Sequence, residues 1–243
     1  MSNSGRNSRF DKALMGLRTL VLRGEYAANA RLPETTLSER LGISRTPLRQ
    51  AMNQLIEEGL LERIATGGCR VARFTIEEIE DAIEIRGVIE GTAARLAAER
   101  GMAPELAKEC RQVLARLDEA LSQKDTIDFE DYVRFNARFH ELVGAGAGSN
   151  IVSREVERAS RLPLASPSAF MQGQELIPDF QVSLRQAQTQ HKAIFEAIEN
   201  KEGTRAEALT REHARLARKN LEFVTRAKPD LIHRVPGLAL IEA

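Results

Sequence analysis

The sequence predicts a mainly α protein: an N-terminal winged helix-turn-helix followed by an all-α helical-bundle ligand-binding domain. Two observations about pattern support this. Residues 8–74 hold short helical segments followed by two strand-like segments, and residues 75–228 hold long helical patterns without strands. A third observation is charge. Residues 1–74 contain 12 Lys/Arg and 7 Asp/Glu, whereas the remainder contains 23 and 28. The basic part fits a polyanionic partner, although a surplus this small also arises by chance.

Three short helices are predicted in the first part. The first has an apolar stripe at helical spacing and ends at Gly24; the stripe consists of Phe10, Leu14, Leu17, Leu20 and Val21. The second, ETTLSERLG, ends at Gly42. The third runs from 45 to 58 and has its own apolar side, formed by Leu48, Met52, Leu55 and Ile56.

The stretch LGISRTPLRQ joins the second and third helices. Gly42 permits a tight turn, and Ser44 is well placed to cap the third helix. Pro47 falls in the first turn, where a missing N–H costs little. Two short helices joined in this way are a helix-turn-helix.

A β-hairpin is predicted directly after the third helix. LLERI and CRVARF have strand composition, and TGG supplies the turn between them. Gly67 and Gly68 have no side chains, so this wing tip can approach a DNA groove closely. The alternative is that the two glycines only form the turn.

Arg45 and Arg49 stand one turn apart at the start of the third helix. The N-terminal residues of that helix meet base edges in a helix-turn-helix, and arginine bonds bidentately to guanine. Thr46 can contact a phosphate or a thymine methyl. Solvated surface arginines are the alternative, but the order of helices and hairpin favours DNA binding.

The second part is predicted to be a helical bundle. Thr75 and Glu78 form a capping box at its first helix, whose buried stripe is expected to include Ile79, Ile83, Val88 or Ile89, and Leu96. Pro104 begins the next helix, and the later helices are predicted at about 128–143, 150–162, 176–200 and 203–226. The segment 163–178, rich in Pro, Ser, Gly and Gln, is either a loop that gates a pocket or an inert connection.

Three histidines lie in three of these helices: His140, His191 and His213. Asn136 precedes His140 by one turn. Three imidazoles from three helices can bind a divalent transition metal and leave a position open for a ligand carboxylate. The alternative is three ordinary, partly buried polar residues, since no two of them share a short motif.

The segment LPETTLSERLGISRTPLRQAMNQLIEEGLLERIATGGCRVARF resembles the DNA-binding domain of GntR-family bacterial transcription regulators. The resemblance implies that Arg45, Thr46 and Arg49 contact operator DNA and that the wing tip enters the minor groove. The position of Thr35 often holds an arginine that contacts phosphate, so this contact is expected to be weaker here. The candidate DNA-binding residues are Thr35, Ser44, Arg45, Thr46, Arg49, Gly67 and Gly68.

The second part is similar to the C-terminal FCD domain of the FadR subfamily, through IEIRGVIEGTAARLAAERG, FNARFHELV, QHKAIFEAIENKE and REHARLARKNL. In many FCD domains an Asp and three His bind a metal below an effector cavity. The histidines match His140, His191 and His213, whereas Asn136 stands at the Asp position and is the poorer ligand. Zinc or nickel is the expected metal.

The same resemblance gives Arg86 a role. An arginine at this position points into the effector cavity, where it can clamp a carboxylate. The alternative is a surface salt bridge with Glu90, four residues on. Similarity to VanR-type regulators hints at an aromatic or other carboxylic acid as the effector.

The sequence therefore predicts a ligand-responsive transcriptional regulator, usually a repressor, that binds a palindromic double-stranded operator as a homodimer. A cytoplasmic protein is expected, since no apolar run approaches a membrane span, no secretory signal is recognised and the two cysteines form no motif. One alternative is a helical-bundle metalloenzyme with an appended winged helix. The other is a helical domain that only dimerises.

Overall fold

The computed structural model describes residues 4–122, 127–162, 164–167, 178–227 and 237–241. The chain forms two compact units: Met1–Glu78 with Asp230–Ala243, and Ile79–Pro229. Each unit has its own set of candidate functional residues.

The first unit is a winged helix-turn-helix. Its elements are α1 (Ser4–Leu22), α2 (Glu34–Leu41), α3 (Arg45–Glu57), β1 (Leu61–Arg63) and β2 (Cys69–Val71). One apolar core joins the three helices to the hairpin; its fully buried members include Leu17, Val21, Leu37, Leu48, Leu55 and Val71. Burial of these side chains fixes the position of α3.

The turn between α2 and α3 follows the sequence prediction at Gly42 but not at Ser44. Gly42 has φ 62°, and its N–H donates to carbonyls at the end of α2. Ser44 occupies the N-cap position, but its side chain makes no capping hydrogen bond, so that prediction was wrong. The reason is Pro47: it stands third in α3, where an N-cap oxygen usually finds its N–H donor, and proline has none.

The wing is a two-stranded antiparallel hairpin. Leu61 pairs with Val71, Glu62 with Arg70, and Arg63 with Cys69. Leu61, Cys69 and Val71 are buried, so one face of the hairpin packs on the core. Gly67 and Gly68 lie in the turn with φ 97° and 85°, a backbone region that favours glycine.

A segment from the far end of the chain completes this unit. Leu238–Leu240 forms one 3-10 turn, and Leu240 is fully buried in the winged-helix core. The N–H of Phe74 donates to the carbonyl of Leu240 at 3.0 Å, and the N–H of Gly237 donates to that of Leu22 at 2.6 Å. The sequence did not predict this return of the chain.

The second unit is built from helices. They are α4 (Ile76–Arg100), α5 (Pro104–Ala120), α6 (Phe129–Gly146), α7 (Asn150–Ser160), α8 (Pro178–Glu199) and α9 (Gly203–Ala227). The predicted capping box begins α4, because the N–H of Thr75 donates to Glu78 Oε2 and the N–H of Glu78 to Thr75 Oγ1. The buried hydroxyl of Tyr132 on α6 donates to the carbonyl of Leu184 on α8.

The buried face of α4 differs from the predicted stripe. Ile79 and Ile83 are buried. Of the two alternatives at the next position, Val88 is exposed and Ile89 is partly buried, as is Leu96. Small residues take their place; they are Ala82, Gly87, Gly91, Ala93, Ala94, Ala97 and Ala98. The cause is close packing: a Cβ on Gly87 would lie 2.8 Å from the Cβ of Ala214 on α9.

Most of the segment 163–178, predicted as a gating loop or an inert connection, lies outside the described residues. In the part of the chain that is described, no helix is both long and apolar enough to span a bilayer.

Candidate functional site

The candidate DNA-binding side chains of the helix-turn-helix are all exposed. Thr35 lies in the first turn of α2, and Ser44, Arg45 and Thr46 lie at the start of α3. Arg49 Nε donates to Glu34 Oε2 at 2.7 Å, and this ion pair brings the beginning of α2 close to α3. Arg45 forms no ion pair with any residue that the structure describes, so its guanidinium is available to a ligand.

The wing tip is held by an arginine that the sequence did not single out. Arg31 Nη2 donates to the carbonyl of Gly67 at 2.9 Å, and its guanidinium also lies close to Gly68. Gly67 and Gly68 are both exposed. The start of α3, Arg31 and the wing tip therefore all lie in the first unit.

The three predicted histidines converge in the second unit. His140 comes from α6, His191 from α8 and His213 from α9, and all three are buried. His213 Nε2 lies 3.0 Å from His191 Nε2 and 3.3 Å from His140 Nε2. One nitrogen from each ring falls within 4.8 Å of the others, which is the spacing of a metal-binding cluster.

The outer nitrogen of each ring faces an oxygen atom. His191 Nδ1 faces Gln188 Oε1 at 3.2 Å, His213 Nδ1 faces Gln190 Oε1 at 3.0 Å, and His140 Nδ1 lies 3.3 Å from Glu90 Oε2. A proton on Nδ1, directed at such an oxygen, leaves the Nε2 lone pair of the same ring for a metal.

The amide orientation of Gln188 agrees with this assignment. Its Nε2 donates to the carbonyl of Leu114 and to Asp118 Oδ1, both at 3.0 Å, which leaves Oε1 to accept from His191. With the protons on Nδ1, the three Nε2 lone pairs would face one another and could hold a divalent cation between them, so the residues fit a transition metal.

Burial keeps His191 and His213 neutral. It lowers the pKa of His191 well below its ordinary value, with a further contribution from His140. It lowers the pKa of His213 in the same way, with contributions from the other two rings and Arg86. Neutral imidazole is the form that binds metals.

Asn136 is buried one turn before His140 on α6, and its Nδ2 donates to the carbonyl of Pro167 at 3.2 Å. It lines a cavity of about 30 Å³ together with Arg86 and His213. This volume holds about one water molecule, so a larger ligand requires neighbouring side chains to move.

Arg86 is buried, with 2% of its surface exposed, so the ion pair that it forms with Glu90 is a buried one and not the surface salt bridge of the alternative. Its Nη1 lies 3.8 Å from Glu90 Oε1, too far for a hydrogen bond. Arg86 Nε and Nη1 find no hydrogen-bond partner among the described residues. A buried guanidinium with unused donors in a cavity wall is suited to bind an anion.

A second, larger cavity lies beside the cluster. It measures about 430 Å³, is bounded by α6 and α7, and includes His140 and Pro167 in its wall. This is within the size range of small-molecule sites. The cluster thus has a cavity on the side of His140 and another on the side of His213.

Sequence reasoning missed the outer partners Glu90, Gln188 and Gln190. Gln188 precedes His191 by three residues, a spacing that could have indicated contact on one helix. Gln190 reaches His213 across two helices, and nothing in the sequence indicates that pairing. The cysteines are buried, and burial raises the pKa of Cys69 to about 11 and of Cys110 to about 12, so both are unreactive thiols.

Comparison with known proteins places both parts of the chain in described families. Residues 81–216 match the FCD domain, and residues 12–71 match the family described as bacterial regulatory proteins, gntR family. The second match includes Thr35, the start of α3 and the wing. The first includes Arg86, Asn136 and all three histidines.

Several relatives match over most of the chain, among them these two. One is an uncharacterised HTH-type transcriptional regulator in an unstable DNA locus of Streptomyces ambofaciens, 30% identical over 239 residues, or 94% of this chain and 91% of the relative. The other is the HTH-type transcriptional repressor GlaR of Escherichia coli, 28% identical over 81% of this chain and 88% of its own.

The fold also has a solved counterpart. The structure of E. coli McbR/YncC aligns with a TM-score of 0.63 at 21% identity and covers 90% of this chain and 98% of its own. At this identity the similarity supports the fold alone.

Proposed function

The chain belongs to the GntR family of bacterial transcriptional regulators and carries an FCD domain, and from this premise we propose that it is a metal-dependent, ligand-responsive repressor acting as a homodimer. The matched families and relatives are transcriptional regulators and not enzymes, which removes the metalloenzyme considered from the sequence. GlaR is named a repressor, which supports the choice of repression over activation.

The winged helix-turn-helix binds the operator. Arg45 and Arg49 read base edges in the major groove, Thr35, Ser44 and Thr46 approach the backbone or nearby bases, and Gly67 and Gly68 let the wing tip enter the minor groove. The exposure of all seven residues supports this assignment.

The dimer would set the spacing of two half-sites in a palindromic operator. Ile85 and Val88, apolar side chains exposed on α4, are candidates for the contact between protomers.

His140, His191 and His213 hold a divalent metal, zinc or nickel, through Nε2, with Asn136 as a weaker fourth candidate. The observation that carries this proposal is the convergence of one ring nitrogen from each of three buried histidines, with amide oxygens facing the outer nitrogens of His191 and His213. A bound metal would supply a positive centre with an open position for an anionic ligand.

Arg86 anchors a small carboxylic acid beside that centre. Its unused Nε–H and Nη1–H donors are available to carboxylate oxygens. Effector binding would shift the dimer between arrangements of different DNA affinity, by no more than the difference in effector affinity between them.

Metal analysis of the purified full-length chain by plasma mass spectrometry is the first test. We expect about one metal per chain in the wild type and a loss in His191→Ala, because three nitrogens are needed to hold the ion. His233→Ala, at the one histidine outside the proposed ligands, is the matched control and should keep the metal.

Absence of metal in every sample, even after zinc or nickel is added, would contradict the metal site. The histidines would then be hydrogen-bonding groups around an organic ligand, with Arg86 as its main anchor. If no carboxylate shifts the melting temperature either, the helical domain only dimerises, which is the second candidate function.

A further inference from the structure

Glu90 is a buried carboxylate that lies between the proposed metal ligands and the proposed effector anchor. It is 2% exposed, with Oε2 3.3 Å from His140 Nδ1 and Oε1 3.8 Å from Arg86 Nη1. Neither oxygen makes a hydrogen bond of normal geometry within the described part of the chain. A carboxylate in such a position destabilises the fold unless positive charge compensates it.

Arg86, on the same helix, provides a positive charge on one side of Glu90, with its Nη1 3.8 Å from Oε1. On the other side, His140 Nδ1 on α6 faces Oε2 at 3.3 Å. The carboxylate of Glu90 therefore lies between a buried cation and an imidazole nitrogen.

The three imidazoles differ in what faces their outer nitrogen. Gln188 and Gln190 present neutral amide oxygens, whereas Glu90 presents a full negative charge to His140. A carboxylate behind a ligating imidazole fixes the ring's orientation and makes the opposite nitrogen a stronger donor. Among the three imidazoles, His140 is thus the one whose metal-binding nitrogen is made the strongest donor by its surroundings.

The charge of Glu90 also affects metal binding by the three histidines together. Three neutral imidazoles and the amide of Asn136 bring no negative charge to a divalent ion, and Arg86 adds a positive one nearby. We propose that Glu90 is a positioning residue of the metal site, which orients His140 and supplies the negative charge that Asn136 cannot. This inference rests on the proposed function of the three histidines.

Titration of the full-length, metal-stripped chain with Co²⁺ against a competing chelator tests the role of Glu90. Glu90→Gln keeps the size and removes the charge. Glu84→Gln is the matched control, because Glu84 lies on the same helix but is exposed and pairs with Arg211. We expect Glu90→Gln to weaken Co²⁺ binding about 10- to 100-fold and Glu84→Gln to leave it unchanged.

The visible absorption spectrum of bound Co²⁺ separates positioning from ligation. Its band intensity should be the same in the wild type and in Glu90→Gln, with at most a small shift in wavelength, because the same nitrogens bind the ion and only their donor strength changes. A large change of intensity at full occupancy, which signals a changed coordination number, would make Glu90 a direct ligand, and equal Co²⁺ affinity would give it no role at the site. Either result overturns the proposal.

A second pair of variants guards against misfolding, since Glu90→Gln leaves Arg86 buried without a counter-charge. Arg86→Gln and the double variant Arg86→Gln/Glu90→Gln should differ in Co²⁺ affinity by about 10- to 100-fold, as the wild type and Glu90→Gln do. Equal Co²⁺ affinity in these two variants overturns the proposed role of Glu90 but not the metal site itself. A wild-type chain that takes up no Co²⁺ overturns both this inference and the proposed metal site.

Discussion

Arg49 forms an ion pair with Glu34 that a contact with DNA would have to break. Its partner Glu34 is only partly buried, and the Arg49 side chain is 63% exposed, so breaking the pair costs at most about 1 kcal/mol. A bidentate contact with guanine is worth about 1–3 kcal/mol of discrimination. The balance favours transfer of the guanidinium from Glu34 to a base.

We therefore expect Arg49→Ala to weaken operator binding by about 1–3 kcal/mol and to relax base preference at one position. Fluorescence anisotropy at fixed salt, on an operator selected from random DNA and on a scrambled duplex, measures both. Arg154→Ala, an exposed arginine of α7, is the control. Equal weakening on both duplexes would mean that Arg49 contacts phosphate.

The buried histidines predict a pH dependence of stability in the metal-free chain. Their folded-state pKa values are lowered, so near pH 6 the unfolded chain binds protons that the folded chain does not. The free energy of unfolding should then fall as the pH is lowered through about 6.5, with a slope of up to about 1.4 kcal/mol per pH unit for each histidine.

Urea unfolding in chelator between pH 7.5 and 5.5 measures this slope. His191→Gln/His213→Gln removes both titrating rings and should flatten the profile. An unchanged slope in that variant would show that other groups cause the loss of stability at low pH.

At the residue scale, the sequence predicted side chains whose chemistry is particular to their type. Three histidines in three helices and two arginines one turn apart stand out in any reading. Glu90 did not stand out, because its role depends on burial beside His140. An acidic residue four positions from an arginine usually forms a salt bridge on the protein surface. The contact between Gln190 and His213 could not be predicted, because the two residues are 23 positions apart in the sequence.

At the scale of elements, helix periodicity predicted α1 to α9 well, and turn chemistry predicted Gly42. That glycine has a positive φ, and a Cβ added to it would meet no other atom within 4 Å, so the turn needs its backbone freedom and not its small size. The stripe of α4 was less predictable. Alanine and glycine give a weak hydrophobic pattern, and only the closeness of α9 explains why they are buried.

Gly42→Ala should destabilise the first unit by about 1–2 kcal/mol, because an alanine in the left-handed region is strained. Gly42→Asn should cost less, since asparagine tolerates that region. Thermal unfolding followed by circular dichroism compares the two variants. A larger loss in Gly42→Asn would point to crowding at the turn and not to backbone strain.

At the scale of the whole molecule, the division into a DNA-binding unit and a helical unit followed from the change in pattern near residue 75, but the contribution of 237–241 to the first unit did not. Five residues are too few to show periodicity, and their partners Leu22 and Phe74 lie far away in the sequence. Contacts of such separation are not visible in local patterns.

Leu240→Ala should lower the free energy of unfolding of the first unit by about 2–5 kcal/mol, the usual cost of a cavity in a core. Val182→Ala, which shortens an apolar side chain that is 66% exposed, is the control and should be nearly neutral. Calorimetry of the full-length chain measures both. Equal melting temperatures would show that the segment contributes little to the core.

The position of Leu240 has a consequence for synthesis on the ribosome. More than 160 residues separate Phe74 from the leucine that completes its core, and at about 5–20 residues per second they take on the order of ten to thirty seconds to translate. During that interval the nascent winged helix lacks part of its core. The complete core of the winged helix therefore forms only after the helical unit has been made, and a chain that ends before Leu240 should have a less stable first unit.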